Sequence, residues 1–478
     1  MRPDRHLFTL VTILLLTGCA SSPLSEPQTP DLPDSFEQIA TLPMQSGESW
    51  QAWWTRFDDP ALDALVDRAL TDNLDIRLQA QRVQEARAQL GLSDANRMPT
   101  LQAQADATRE QNPQMSFSLG GGEGGGSAIT NQYSLAGMLG YEVDLWGRLA
   151  NQQEAARSLL DETQFSHEAV RLSITTEVVS TYFNLRAAEA RYRIMQSNLE
   201  TREETLELEQ FRYDNGATDR FTLRQAESAV AAVRAQLPSL REQVQVLENA
   251  LAILSGQAPG DILAGMEFNG PALTSISFPD TLPAMLPSDL LQRRPDIRAA
   301  RAGLRAADAN VAVVAASRWP SLNLSGMLGV AHIDFADVIS QSFDTWSTSA
   351  ALAGPLYDFG RTSARVDSAE AQREQAMLRY RQTVLTAFGE VRDALTIYET
   401  SLERLNATDN QVEAVRATRE LAQIRYDEGL IGFLELLDAE RAMLDAELQL
   451  AEAQQQRLSA VATLFKALGG GWGDSRGR

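Results

Sequence analysis

Arg212-Tyr213-Asp214-Asn215-Gly216 recurs 213 residues later as Arg425-Tyr426-Asp427-Glu428-Gly429. At the same offset Leu223, Ala226 and Glu227 meet Leu436, Ala439 and Glu440, and Trp146-Gly147-Arg148 meets Phe359-Gly360-Arg361. Nearer the start of each copy the offset is 221. There Asp75-Ile76-Arg77 matches Asp296-Ile297-Arg298, and Arg97-Met98-Pro99 matches Arg318-Trp319-Pro320. Two constant offsets mean one structural unit written twice. The first copy carries eight extra residues between Pro99 and Trp146, and the glycine tract Gly120–Gly126 is the natural insertion. The period is too long for a solenoid.

Around these anchors each copy reads helix, strand pair, long helix, return helix. Residues 60 to 95 predict one helix, with Leu62, Leu65, Val66, Ala69 and Leu70 as its apolar stripe. Asp59-Pro60 starts it, a capping carboxylate before a proline at the first helical position. From Gly147 the helical pattern lasts roughly 60 residues, or about 90 Å at ~1.5 Å per residue. In the return helix, Ala226, Val230, Val233, Leu237, Leu240, Val244, Leu247, Leu251 and Leu254 form a sustained heptad seam. Pro238 within it predicts a kink. The second return helix keeps the period at Met443, Ala446, Leu450 and Ala453, and Arg457 breaks it.

The strand segments alternate with period two. Leu101, Ala103, Ala105 and Ala107 form one face of the first, and Tyr133, Leu135, Gly137, Leu139, Tyr141 and Val143 one face of the second. The other copy offers Leu322, Leu324, Gly326, Leu328 and Val330, then Trp346, Thr348, Ala350 and Leu352. These segments have the length of membrane-crossing strands, ~9–11 residues. The alternation is equally compatible with a water-soluble sheet capped by helices. In lipid, four strands cannot close a barrel and an open edge is not tolerated. On that reading the chain must oligomerise. Two copies make an eight-stranded barrel that its own side chains fill, so three copies and twelve strands are the smallest conduit.

Composition narrows the function. The chain has 478 residues, 42 Lys+Arg against 64 Asp+Glu, a net charge of −22 and one cysteine. No basic stripe offers itself to phosphates, which argues against nucleic acid. One cysteine excludes a disulfide framework and multi-cysteine metal sites. His6, His167 and His332 lie in no catalytic motif, no reaction can be assigned, and no cofactor or metal site is expected. The Gly120–Gly126 tract lacks the Lys-Ser/Thr ending of a phosphate loop and reads as a loop between two strands. Tyr133, Tyr141 and Trp346 are candidates for an aromatic membrane belt. Trp50, Trp53 and Trp54 stand far from any strand and read as packing residues.

The N-terminus carries Arg2 and Arg5, an apolar run from Leu7 to Leu16, then Thr17-Gly18-Cys19. That is the layout of a secretory signal, too short to span a bilayer. Its end resembles a bacterial lipobox. The resemblance implies removal of residues 1–18 and diacylglycerol and palmitoyl groups on Cys19. Ala20, not aspartate, follows, which implies sorting to the outer membrane.

The lipobox, Arg294-Pro295-Asp296-Ile297-Arg298, Asp144-Leu145-Trp146-Gly147-Arg148, Tyr357-Asp358-Phe359-Gly360-Arg361 and the two Arg-Tyr-Asp-x-Gly segments together resemble the TolC/OprM family of outer-membrane factors. The lipoprotein, NodT-type branch is the most similar. The likeness runs in order along nearly the whole chain. It implies a mixed, mainly α fold: a homotrimer with a twelve-stranded outer-membrane barrel and a long coiled-coil helical barrel in the periplasm. It implies partnership with a periplasmic adaptor and an inner-membrane transporter of the RND class, and contact with outer-membrane lipid. The expected organisation is a signal over 1–18, a linker and equatorial segment over 19–58, a first repeat over 59–270, and a second repeat with a tail over 271–478. By the same resemblance Arg212, Tyr213, Gly216, Arg425, Tyr426 and Gly429 lie at the periplasmic tips that meet the adaptor. Leu434 would form an apolar constriction, and Glu435 and Asp438 an acidic gate. The residues alone read equally well as a solvated helix face. The first repeat departs from that pattern, with Phe221 and Thr222 in place of Leu434 and Glu435. The implied function is passive export of small molecules. A conduit for protein or polysaccharide and a coiled-coil scaffold lipoprotein are the alternatives.

Overall fold

The computed structural model describes residues 44–45, 52–113, 127–258, 270–278, 282–283, 291, 293–340 and 345–470. Cys19, Trp50 and Gly120–Gly126 lie outside the described residues. In order, the described elements are β1 (Met44–Gln45), α1 (Pro60–Asp72), α2 (Leu74–Ala95), β2 (Thr100–Pro113), β3 (Ser127–Val143), α3 (Arg148–Asp214) and α4 (Arg220–Leu254). Then follow β4 (Leu282–Pro283), α5 (Pro295–Ala316), β5 (Ser321–His332), α6 (Phe335–Ser340), β6 (Thr345–Ala353), α7 (Arg361–Asp427) and α8 (Phe433–Ala467). Short 3-10 turns cover Trp53–Phe57 and Leu273–Ser275. Among the described residues, no helix is long and apolar enough to cross a membrane.

One expectation fails at Asn73. Residues 60–95 are two helices, not one. Asp59 caps α1 by accepting from Ala61 N at 3.0 Å and Leu62 N at 3.3 Å. Asn73 ends that helix at ψ 130° and restarts the next, its Oδ1 accepting from Asp75 N at 2.9 Å and Ile76 N at 3.1 Å. A side chain that can satisfy the orphan N–H groups of a new first turn makes the break cheap. The short helix α6 between β5 and β6 was not anticipated, nor was the parallel two-residue pair of β1 with β4.

The chain divides into two compact units. The described part of one comes from 84–162 and 301–379. It holds a four-stranded antiparallel sheet in the order β2-β3-β5-β6. Ala107 stands opposite Tyr133, Gly137 opposite Leu328, and Leu328 opposite Trp346. This register puts the alternating apolar residues of all four strands on one face. The other face carries Gln102, Gln104, Asp106, Ser134, Asn323, Ser325, Ser347 and Ser349. β2 and β3 have 14 and 17 residues, longer than a bilayer crossing requires. Among the described residues, neither edge strand, β2 or β6, has an outer neighbour. At the β3–β5 junction the Trp146 ring stacks on Trp319 at 5.1 Å, and its Nε1 donates to Pro320 O at 2.8 Å.

The other unit comes from 29–83, 163–300 and 380–478. Its core gathers Trp53, Phe57, Leu62, Leu65, Val178, Tyr182, Phe183, Leu251, Leu464 and Phe465. Trp53 stacks on Phe465 at 5.2 Å and Phe57 meets Phe183 edge-on at 4.9 Å, so Trp53 and Trp54 are packing residues as expected. None of the nine seam positions of α4 is exposed. The helix runs unbroken through Pro238. Arg457 does not turn out to solvent. It is buried, its guanidinium 3.8 Å from the Tyr398 ring centre and its Nη1 donating to Tyr398 O at 2.7 Å. What looked like a break in the apolar period is a charged group stacked on an aromatic face.

The duplication reaches individual hydrogen bonds. Asn73 Nδ2 donates to Leu254 O at 2.9 Å, and Arg294 Nη1 donates to Ala467 O at 3.0 Å. Each bond ties the last carbonyl of a return helix to the residue that precedes a short helix.

Candidate functional site

Both long helices end in the same backbone figure. Gly216 has φ +75°, its N–H reaches Tyr213 O at 2.9 Å, and Ala217 N reaches Arg212 O at 2.7 Å. Gly429 has φ +71°, its N–H reaches Tyr426 O at 3.0 Å, and Leu430 N reaches Arg425 O at 2.7 Å. These are Schellman ends, and the left-handed residue is the glycine that the repeated motif carries. The chain then turns back into α4 or α8.

The helices that follow start differently. Asp219 caps α4, its Oδ1 accepting from Thr222 N and Thr222 Oγ1, each at 2.9 Å. Those bonds hold its carboxyl below the usual range. The matching residue of α8 is Gly432, which has no side chain to offer. Glu435, in the first turn, curls back until Oε2 lies 2.9 Å from where a Cβ on Gly432 would sit. A carboxylate beside a helix N-terminus is favoured by the dipole.

The first turns of α8 then split by face. Phe433, Leu436 and Leu437 are buried, in one cluster with Ala226, Ala229 and Tyr426. Leu434 is 56% exposed, and Glu435 and Asp438 are exposed beside it. Positions three and four apart on a helix are surface neighbours, so Asp438 lies beside both Glu435 and Leu434. The first-repeat counterpart of Leu434, Phe221, is exposed too.

The predicted tip residues separate into two groups. Arg425, Tyr213, Gly216 and Gly429 are exposed. Tyr426 and Arg212 instead join a buried network. The Tyr426 hydroxyl donates to Glu209 Oε1, Arg212 Nη1 reaches the same oxygen at 3.1 Å, and the Arg212 guanidinium sits 4.7 Å over the Tyr426 ring. Burial, and then the Glu209 carboxylate, push the Tyr426 hydroxyl pKa up. Glu209 is 1% exposed and was missed in the sequence. Its counterpart is Ala422, so the repeat carried no sign of it. Two turns into α8, Glu440 is buried among Arg202 of α3 and Arg419 of α7. Burial raises its carboxyl pKa, and the two arginines offset part of that.

The site offers an exposed apolar and acidic face next to a glycine turn, backed by a buried ionic network.

Comparison with known proteins agrees with the duplicated architecture. Residues 65–257 and 286–470 each match the family described as outer membrane efflux protein. The second segment starts 221 residues after the first and ends 213 after it, the two offsets of the internal repeat. The cation efflux system protein CusC of Escherichia coli O6:H1 is 30% identical over 98% of both chains. The toluene efflux pump outer membrane protein TtgC of Pseudomonas putida is 31% identical over 98% of this chain and 96% of its own. The solved outer-membrane channel OprN superposes with a TM-score of 0.85 at 31% identity, covering 94% of this chain and 99% of that one. The open-state MtrE channel of Neisseria gonorrhoeae gives 0.78 at 29%, covering 93% and 98%. With both repeats matched and relatives aligned over nearly its full length, the chain belongs to the outer membrane efflux protein family.

Proposed function

We propose that this chain is the channel subunit of a tripartite efflux system in the outer membrane, a passive conduit for small molecules. It works as a homotrimer with a periplasmic adaptor and an inner-membrane RND-type transporter. The observation that carries this reading is the sheet of four membrane-length strands with two open edges, in a chain whose relatives are named as efflux channels. Three copies close twelve strands. The relatives' names range over cations, toluene and pyoverdine, so they fix no common substrate. Two of those names describe efflux and the third export, which favours small-molecule export over macromolecular secretion or a scaffold role.

In this reading Cys19 carries the diacylglycerol and palmitoyl anchor, and 1–18 is the removed signal. The linker, first repeat and second repeat occupy 19–58, 59–270 and 271–478. The turns at Arg212–Gly216 and Arg425–Gly429 meet the adaptor. Three copies of Leu434 narrow the periplasmic end, and three of Asp438, with Glu435 beside them, form an acidic ring that favours cations. Planar-bilayer recording of the purified trimer tests it. Discrete currents are expected, larger in Leu434→Ala and Asp438→Asn. Wild-type currents in both variants would remove these residues from the gate, and silence from an intact trimer would sink the channel reading.

A further inference from the structure

The internal repeat fixes how neighbouring copies join. We infer that β6 of one chain pairs antiparallel with β2 of a second copy, with Ala350 opposite Ala107 of the partner subunit. Leu352 then lies opposite Ala105, Ala351 opposite Asp106 and Ser349 opposite Thr108 of the partner subunit. This inference rests on the trimeric reading and adds the register to it.

The argument is one of translation between copies. In the first repeat Ala107 pairs with Tyr133. Moving these by the sequence offsets, 221 for the first strand and 213 for the second, gives Leu328 and Trp346. Those two residues are paired in the second repeat. The offsets found in the sequence therefore carry strand register from one copy to the other without slippage. The same operation applies to the junction between repeats. There Gly137 pairs with Leu328, Leu139 with Gly326, Met138 with Met327, and Ala136 with Gly329. Advancing each β3 residue by 213 reaches β6, and moving each β5 residue back by 221 reaches β2. The results are the four pairs named above. All nine residues of β6 find a partner within Thr100–Pro113, so the 14-residue edge accommodates the 9-residue one.

Side-chain parity was not used in that construction, and it agrees. Even-numbered residues of β6 and odd-numbered residues of β2 belong to the apolar face. The inferred pairs keep Ala350 with Ala107 and Leu352 with Ala105 on that face, and Ser349 with Thr108 on the polar one. A slip of one residue would set Asp106 or Thr108 among the apolar side chains. Exposure points the same way. At the β3–β5 junction Trp146 is covered by Trp319. The corresponding residues at the open edges are Phe359, 87% exposed, and Met98, 66% exposed. Phe359 lacks the cover that Trp146 has inside the chain, and a second copy in this register brings it beside Met98 of the partner subunit.

Paired cysteines test the register. Directly opposite cross-strand Cβ atoms lie ~4.5–5.5 Å apart and diagonal ones roughly 7–8 Å, and a disulfide spans only the former. Full-length A107C/A350C and T108C/S349C, one pair on each face, are oxidised in detergent after native mass measurement. Slip-by-two pairs A105C/A350C and R109C/A350C serve as controls, and single-cysteine variants account for Cys19. The expected result is a ladder of covalently linked chains, lost on reduction, from at least one designed pair and from neither control. Linkage through the controls alone, or through no pair in a sample of three-chain mass, overturns the register and leaves the trimer standing. A one-chain mass sinks the trimeric reading itself.

Discussion

Glu440 and Asp438 stand two positions apart on α8 and meet opposite environments. Asp438 faces outward, and Glu440 is buried against Arg202 and Arg419. The burial of Glu440 raises its carboxyl pKa above the unfolded value of about 4.3. The folded state therefore holds that proton more tightly than the unfolded chain does. The group's contribution to stability is full below the unfolded pKa and is lost as pH rises through the folded one. Glu440→Gln should flatten the fall in thermal midpoint from about pH 4 upward. Curves that stay parallel to wild type would mean that the arginines cancel the burial. Asp438 and Leu434 were singled out by their place after a repeated glycine turn together with the family resemblance. Glu209 was invisible, because a glutamate three positions before an arginine on a long polar helix reads as an ordinary surface pair. Only the approach of Tyr426, 217 residues away, makes it a buried one.

At the level of elements, the turns were legible to the residue and the helix breaks were not. Arg-Tyr-Asp-x-Gly announces a left-handed C-terminal residue, and both glycines adopt it. A Cβ on Gly429 would meet nothing within 4 Å, so the cost of Gly429→Ala is purely backbone, about 1–2 kcal/mol. Gly429→Asn should cost less, since asparagine tolerates that region. Amide exchange at the tip measures both; equal protection in the two variants would mean that the turn relaxes to another form. The break at Asn73 escaped notice because the apolar stripe continues across it and asparagine is only mildly unfavourable inside a helix. Its distinguishing act is a bond to Leu254 O, a partner 181 residues away. Arg457 misled for a related reason. Period counting treats arginine as polar, whereas its stem and planar head can cover an aromatic ring.

For the molecule as a whole, the two sequence offsets proved sufficient to reproduce strand register, paired helix ends and the family's two matched segments. The repeats are not equally tied. Arg294 bonds Ala467 O and also bridges Asp296 at 2.7 Å and Glu390 at 2.6 Å, whereas Asn73 closes its copy with neutral bonds. Arg294→Ala should cost about 1.5–3 kcal/mol and Asn73→Ala about 1 kcal/mol, compared by thermal unfolding of the trimer. A reversed order would show that the salt bridges are screened. The open edges β2 and β6 carry a final consequence, for inheritance. A lone chain in lipid would leave two rows of backbone groups unmet, at several kcal/mol for each group, so insertion awaits the closed ring. A copy with one spoiled edge therefore wastes its two sound companions. When sound and spoiled alleles are expressed together, most rings include a faulty member. Edge-strand mutations should accordingly behave as dominant in mixed expression, while mutations that merely unfold the chain should be recessive.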